Sequence, residues 1–145
     1  MMQLSIVSIP VKDQELAKAF YRDKLGFQVV REAETTPGRR WIQMKPPSGP
    51  AAITLVTWFE AMPPGSVQGL VLDTSDIEFA HEKLRGRGLV IGAIQDATWG
   101  RHATFSDPDG NGWCWSRRTC GDGLGQCLGC PRHIHLSARR IDPGH

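Results

Sequence analysis

IVSIPVKDQELAKAFYRDKLG, residues 6–26, and GLVLDTSDIEFAHEKLRGRG, residues 69–88, repeat one layout within a single chain. Each begins with a short apolar strand, passes through an acidic helix start and continues as an amphipathic helix closed by glycine. In the first copy Ile6, Val7, Ile9 and Val11 supply the strand, and Pro10, which has no N–H, predicts an edge or a bulge there. Asp13 is placed to cap the helix by accepting backbone N–H bonds. Leu16, Ala17, Phe20, Tyr21 and Lys24 mark successive turns, with the apolar members expected to face a sheet. Gly26 suits a left-handed helix end. In the second copy a strand is predicted over residues 67–72. Ser75 and Glu78 stand at capping-box spacing, and Ile77, Ala80 and Leu84 form the face to be buried. Gly86 and Gly88 stop the helix.

Working outward, three strands are predicted after the first helix, over residues 27–31, 40–45 and 52–58. Pro37-Gly38 and the stretch 46–50 mark the turns between them. After the second helix come strands over residues 89–94, 101–105 and 112–116, the last preceded by the turn Asp107-Pro108-Asp109-Gly110-Asn111. Both halves thus read β, α, β, β, β, an internal repeat of secondary structure with little residue identity. The fold class expected is α+β, with paired βαβββ modules forming a curved mixed sheet around a cleft and helices on the outside. The modules are expected at residues 1–59 and 67–118. Residues 60–66, with Pro63-Pro64-Gly65, form the linker. Residues 119–145 are a Gly/Cys/Arg-rich tail with no helix or strand period, expected to be poorly ordered.

Composition narrows the function classes. With 145 residues, 40% apolar and 22% charged, the chain has the make-up of an ordinary globular protein. Its net charge of +2 is concentrated at the end: from Arg117 onward five arginines face two aspartates, a net of +3, so residues 1–116 sum to −1. A near-neutral body gives no footprint for nucleic acid, and no run approaches the ~20 apolar residues of a membrane span. A cytoplasmic location is the default expectation. Of four cysteines only Cys114 precedes the tail, which fits a reduced protein without an internal disulfide in its body.

The stretch Val11-Lys12-Asp13 through Ala19-Phe20-Tyr21-Arg22-Asp23-Lys24-Leu25-Gly26-Phe27 resembles the first-helix signature of the vicinal oxygen chelate superfamily. That group includes glyoxalase I, bleomycin-resistance proteins and extradiol dioxygenases. Trp99-Gly100-Arg101 and Asp107-Pro108-Asp109-Gly110-Asn111 resemble its second-module signature, and the likeness spans about residues 3–118. In metal-using members the ligands are His, Gln or Glu on the first and last strands of each module. The resemblance maps those positions onto Ile6, Thr54, Gly69 and Cys114. An alkyl chain, a hydroxyl, a glycine and one thiol do not make a catalytic centre, since zinc or non-haem iron needs about three protein ligands. No cofactor is expected in the pocket.

What remains is aromatic. Trp41, Trp58, Trp99, Trp113 and Trp115 suit a cleft for an aromatic or amphipathic small molecule. Alternation sets Cys114 and Ser116 on one face of the last strand, with Trp113 and Trp115 on the other. Under the family register Cys114 faces the pocket. Trp41, Trp58 and Trp99 are then the ligand candidates, each with core or interface packing as the plainer role. Arg101 is a candidate for a ligand carboxylate or phosphate, or else a surface salt bridge. Cys114 and His102 are weak catalytic candidates, with a buried thiol and a structural imidazole as the alternatives; no histidine is obviously placed to activate the thiol. Asp107, Asp109 and Asn111 are explained by turn hydrogen bonding without calcium. Cys127-Leu128-Gly129-Cys130 with His133 and His135 offers a zinc half-site in the tail, a redox pair, or an inert segment. The leading function is a metal-independent binding protein, of drug-sequestering type by resemblance, which also implies a homodimer. The alternatives are a lyase, isomerase or dioxygenase with a displaced metal site or a metal-free mechanism, and a scaffold with a vestigial pocket.

Overall fold

The computed structural model describes residues 2–118. Asp13 turns the first strand into a helix: its carboxylate accepts from the N–H groups of Glu15 and Leu16 at 2.9 and 3.2 Å. Strand β1 (Ile6–Pro10) therefore gives way to helix α1 (Gln14–Asp23), which Gly26 ends at φ +75°. Strands β2 (Gln28–Thr36), β3 (Arg39–Lys45) and β4 (Ala52–Val56) follow. Residues that pair across the sheet are β1-β4-β3-β2, with β1 parallel to β4 and the rest antiparallel. Pro10 sits on an edge strand, where its missing donor costs no ladder bond.

The second half repeats the plan with β5 (Leu70–Asp73), α2 (Ile77–Gly86), β6 (Gln95–Ala97), β7 (Gly100–Ser106) and β8 (Gly112–Arg118). Its sheet order is β5-β8-β7-β6, again with one parallel pair. The molecule is α+β, two βαβββ units each with a four-stranded sheet and a helix against it.

Several local expectations shift. Asp76, not Ser75, caps α2, accepting from Phe79 N–H at 3.1 Å, while Thr74 Oγ1 accepts from Asp76 N–H at 3.2 Å. Glu78 is thereby released from a capping box and pairs with Arg101. The strand predicted over residues 89–94 is reduced to a single bridge between Ile91 and Phe105, and regular pairing begins at Gln95. The two-residue turn Thr98-Trp99 sets that register, with Ala97 opposite Gly100 at φ +145°. Leu16 is exposed, because α1 packs through Ala17 and Tyr21, one turn apart, and Leu16 falls beside that line. Strand β2 runs five residues past the predicted end, to the hairpin at Pro37-Gly38.

Both sheets share one core. Ile9, Leu55, Ile42 and Met44 from the first sheet cluster with Ala17 and Tyr21 of α1 and with Phe105, Trp113 and Leu84 of the second half. Aromatic rings make the junction: Trp113 stands 5.8 Å from Tyr21, 6.1 Å from Phe27 and 6.2 Å from Phe105. Burying an aromatic side chain of this kind contributes about 2–3 kcal/mol.

Polar atoms lock the same junction. The Tyr21 hydroxyl donates to Asp107 Oδ2 at 2.8 Å and accepts from Trp113 Nε1 at 3.0 Å. Asp107 Oδ1 accepts from the N–H groups of Asp109 and Asn111, both at 2.9 Å, which closes the turn. Asn111, fully buried, donates to Asp107 and to the carbonyl of Pro10, and accepts from Val67 N–H. The side-chain oxygens of Asp107 and Asn111 are thus committed to the chain itself, and Asp109 Oδ1 accepts from Lys12 N–H at 3.1 Å. Burial, and then the Asp107 carboxylate, hold the Tyr21 phenol well above its usual pKa, so it stays a protonated donor.

Replacing Tyr21 with Phe leaves the Trp113 N–H unpaired in the core and is expected to cost about 1–3 kcal/mol in urea unfolding. Asn111→Ala strands two backbone groups from distant segments and is expected to cost more than Tyr21→Phe in the same measurement. An Asn111→Ala protein as stable as wild type would remove the junction from its central place.

Candidate functional site on the helix-free faces

Because side chains alternate, each strand that buries one face in the shared core presents the other on the far side of its sheet. In the first sheet, β3 sends Ile42 and Met44 into the core and carries Trp41, Gln43 and Lys45 opposite. Gln43 lies across from Thr54 on β4, and Thr54 across from Ser8 on β1. Trp41 Nε1 donates to Gln43 Oε1 at 3.1 Å, which fixes the indole on this face. Trp58, just past β4, is half-buried, with the Arg39 guanidinium 5.9 Å from its ring centre.

In the second sheet, β8 sends Trp113 into the core and packs Trp115 against it, while Cys114 and Ser116 take the opposite face. Cys114 is paired with Val71 and Thr104, and Ser116 with Asp73 and His102. Trp99 stacks on His102, ring centres 4.6 Å apart and planes 28° apart. Among the described residues three buried side-chain polar atoms lack a partner: Thr54 Oγ1, His102 Nδ1 and Trp115 Nε1. The first two lie on the helix-free faces. Unpaired polar atoms of this kind are costly in a finished core and acceptable where something else completes them.

A sequence model described as the Glyoxalase/Bleomycin resistance protein/Dioxygenase superfamily matches residues 3–115. The chain belongs to this superfamily. TnmS3, an antibiotic binding protein from Streptomyces sp. CB03234, is 38% identical, with a TM-score of 0.77 over 82% of this chain and 98% of its own. A second superfamily protein from the same organism is 39% identical, with a TM-score of 0.71 over 79% of this chain and 99% of its own. The uncharacterized protein YetH of Bacillus subtilis (strain 168) is 32% identical over 75% of this chain and 92% of its own.

At the positions that the resemblance maps to the superfamily's metal ligands, the residues present do not fit a metal. Ile6 offers carbon only. Gly69, just before β5, has φ +80° and no side chain to donate. Thr54 contributes one neutral hydroxyl and Cys114 one thiol that points its Sγ to the Trp115 carbonyl at 3.5 Å. Among the described residues no group of three or more His, Cys, Asp or Glu could hold a metal ion. Cys127, Cys130, His133 and His135 lie outside the described residues.

Arg101 takes the salt-bridge role that stood beside its candidacy as a ligand contact. It alternates onto the helix face of β7, where Glu78 and Asp96 hold its guanidinium, the latter at 2.9 Å. His102, its neighbour, faces the other way. Trp41 lies on the helix-free face of the first sheet, Trp58 lies past β4 beneath the Arg39 guanidinium, and Trp99 lies in the turn before β7, stacked on His102. Ser8, Gln43, Arg31 and Arg39 share the face of Trp41 and went unnoticed in the sequence. Strict alternation about Trp41 could have gathered Arg39 and Gln43, whereas Ser8 and Arg31 join them only through the sheet register.

Burial raises the Cys114 thiol above its ordinary pKa, which disfavours the thiolate and with it a nucleophilic role. Alkylation followed by peptide mass spectrometry at pH 7.5 is expected to modify Cys114 more slowly than a cysteine in an unstructured peptide. A faster rate would mark an activated thiol.

Proposed function

We propose that this protein binds a small aromatic or amphipathic molecule without a metal and acts by sequestering it. One observation carries the reading: among the described residues no group of three or more His, Cys, Asp or Glu could hold a metal ion, while the helix-free faces carry indoles and two buried polar atoms without a partner. Binding by stacking and burial needs such a surface and needs no reactive group. The 38% identity with an antibiotic binding protein, over nearly that protein's whole length, supports an antibiotic as the ligand class.

A homodimer belongs to the same proposal. Val71, Ile6 and Trp99 leave apolar surface open on or beside the helix-free faces, and a second copy covering them would wall a groove around the ligand. A cytoplasmic location is also proposed; none of the described helices is long and apolar enough to cross a membrane. An enzyme using Cys114 and His102 is the weaker reading. Burial disfavours the thiolate, and the thiol contacts a carbonyl oxygen.

The test is a titration of purified protein with a panel of aromatic antibiotics, followed by tryptophan fluorescence and calorimetry with and without EDTA. Saturable quenching that chelation leaves unchanged is expected, with recovery of the unaltered ligand. Trp41→Ala or Trp99→Ala should weaken affinity about tenfold, the loss of one good aromatic contact. Binding abolished by EDTA, or steady conversion of the ligand, would replace sequestration with catalysis. Light scattering on the same samples should give twice the chain mass.

A further inference from the structure

Charge on the first sheet is sorted by face. Its acidic residues lie on the helix side: Glu32 pairs with Lys18 at 3.1 Å and with Arg40, which also takes Glu15 from α1. Glu34, opposite Arg40 in the register, shares that side and accepts from Gly38 N–H at 3.3 Å. The helix-free face is the reverse. Arg31, opposite Gln43, stands there with Arg39 and Lys45, and alternation places no Asp or Glu from β1, β2, β3 or β4 beside them. Among the described residues none of these three cations has a carboxylate within ion-pair distance, whereas Lys18 and Arg40 on the other side both do.

Three unpaired cations on one sheet face repel one another. In a chain whose first 116 residues sum to −1, so local an excess is not a consequence of overall composition. It also coincides with the aromatic platform. Trp41 is held edge-on by Gln43 and lies between Arg39, two residues before it, and Arg31, across from the residue two after it. At the rise of a strand, the Cα atoms of Arg39 and of Gln43, the latter facing Arg31, lie about 7 Å from that of Trp41. Arg39 already lies over Trp58, so a guanidinium and an indole are presented together.

We propose that this face selects planar aromatic anions, the ring lying on Trp41 and Trp58 and the carboxylate, sulfonate or phenolate held by Arg31 or Arg39. Guanidinium groups suit such oxygens because their paired N–H donors match them in one plane. The proposal rests on the binding function above and narrows its ligand class. It disfavours cationic drugs, which this face would repel.

Two probes with the same ring system separate the ideas: 8-anilinonaphthalene-1-sulfonate, an anion, and N-phenyl-1-naphthylamine, which lacks the sulfonate. Both are titrated into the full chain, into Arg31→Gln/Arg39→Gln, and into Arg22→Gln, which removes an exposed cation on α1 away from the face. The sulfonate is expected to bind at least about tenfold more tightly than the neutral amine, an advantage lost in the double variant and kept in Arg22→Gln. Circular dichroism of the double variant should match wild type, since Arg31 and Arg39 are exposed and, among the described residues, make no ion pair. Equal affinity for the two probes, or a preference untouched by the double variant, overturns the anion inference and leaves the binding function standing. Failure of both probes to bind overturns the proposed aromatic seat and this inference together.

Discussion

A phenol, a carboxylate and a carboxamide fix how the two halves meet. Tyr21 comes from the first helix, Asp107 and Asn111 from the last turn, and the carbonyl of Pro10 from the first strand, so one buried network joins segments 86 to 101 residues apart. Every donor and acceptor of Asn111 in that network serves backbone or Asp107, and the Trp113 indole is tied in through Tyr21. Buried networks of this kind are strong when complete and costly when broken, which makes the junction geometrically unforgiving. With the helix faces committed to one shared core, the opposite faces of both sheets are left for other work.

Alternation then does the sorting. On β3 the same seven residues send Ile42 and Met44 to the core, Arg40 to the acidic groups of the helix side, and Trp41, Gln43 and Lys45 to the outer face. On β7, Arg101 and His102 are adjacent in sequence and opposite in role, one closing ion pairs beneath α2, the other stacked under Trp99. Structural charge pairs and the groups of the proposed recognition face can therefore share a strand without interfering, because successive side chains of a regular strand point to opposite faces.

The repeat, the caps at Asp13 and the closing glycines were legible in the sequence because each rests on local chemistry: a short carboxylate at a helix start, a positive φ at its end. The turn at residues 107–111 was legible for the same reason. What the sequence could not supply was choice between equivalent local signals. Ser75 and Asp76 are both good caps, and the tertiary pull of Arg101 on Glu78 accompanies the later one. Leu16 looked buried because its type fits a core, yet the helix turned on Ala17 and Tyr21. At the site, indoles were visible as rare residues, whereas Arg31, Arg39 and Gln43 are common types that gain meaning only from the register that gathers them.

Under the mapping that the resemblance implies, the departure from metal chemistry lies in the backbone as well as the side chains. At Gly69 the chain adopts φ +80°, where a histidine or glutamate would carry strain of about 1 kcal/mol or more before contacting any ion. At Ile6 the position lies on an edge strand beside Ala52, and Thr54 instead faces Ser8 and Gln43, so the first module lines up neutral oxygens and an amide rather than imidazoles and carboxylates. Converting these faces back to a metal centre would take changes at several positions and a new backbone conformation at one. Recognition by stacking asks for none of that. An indole whose N–H is bonded to Gln43 is ordered before any ligand arrives, and under the proposed function that preorganisation would let a site without a metal discriminate among ligands.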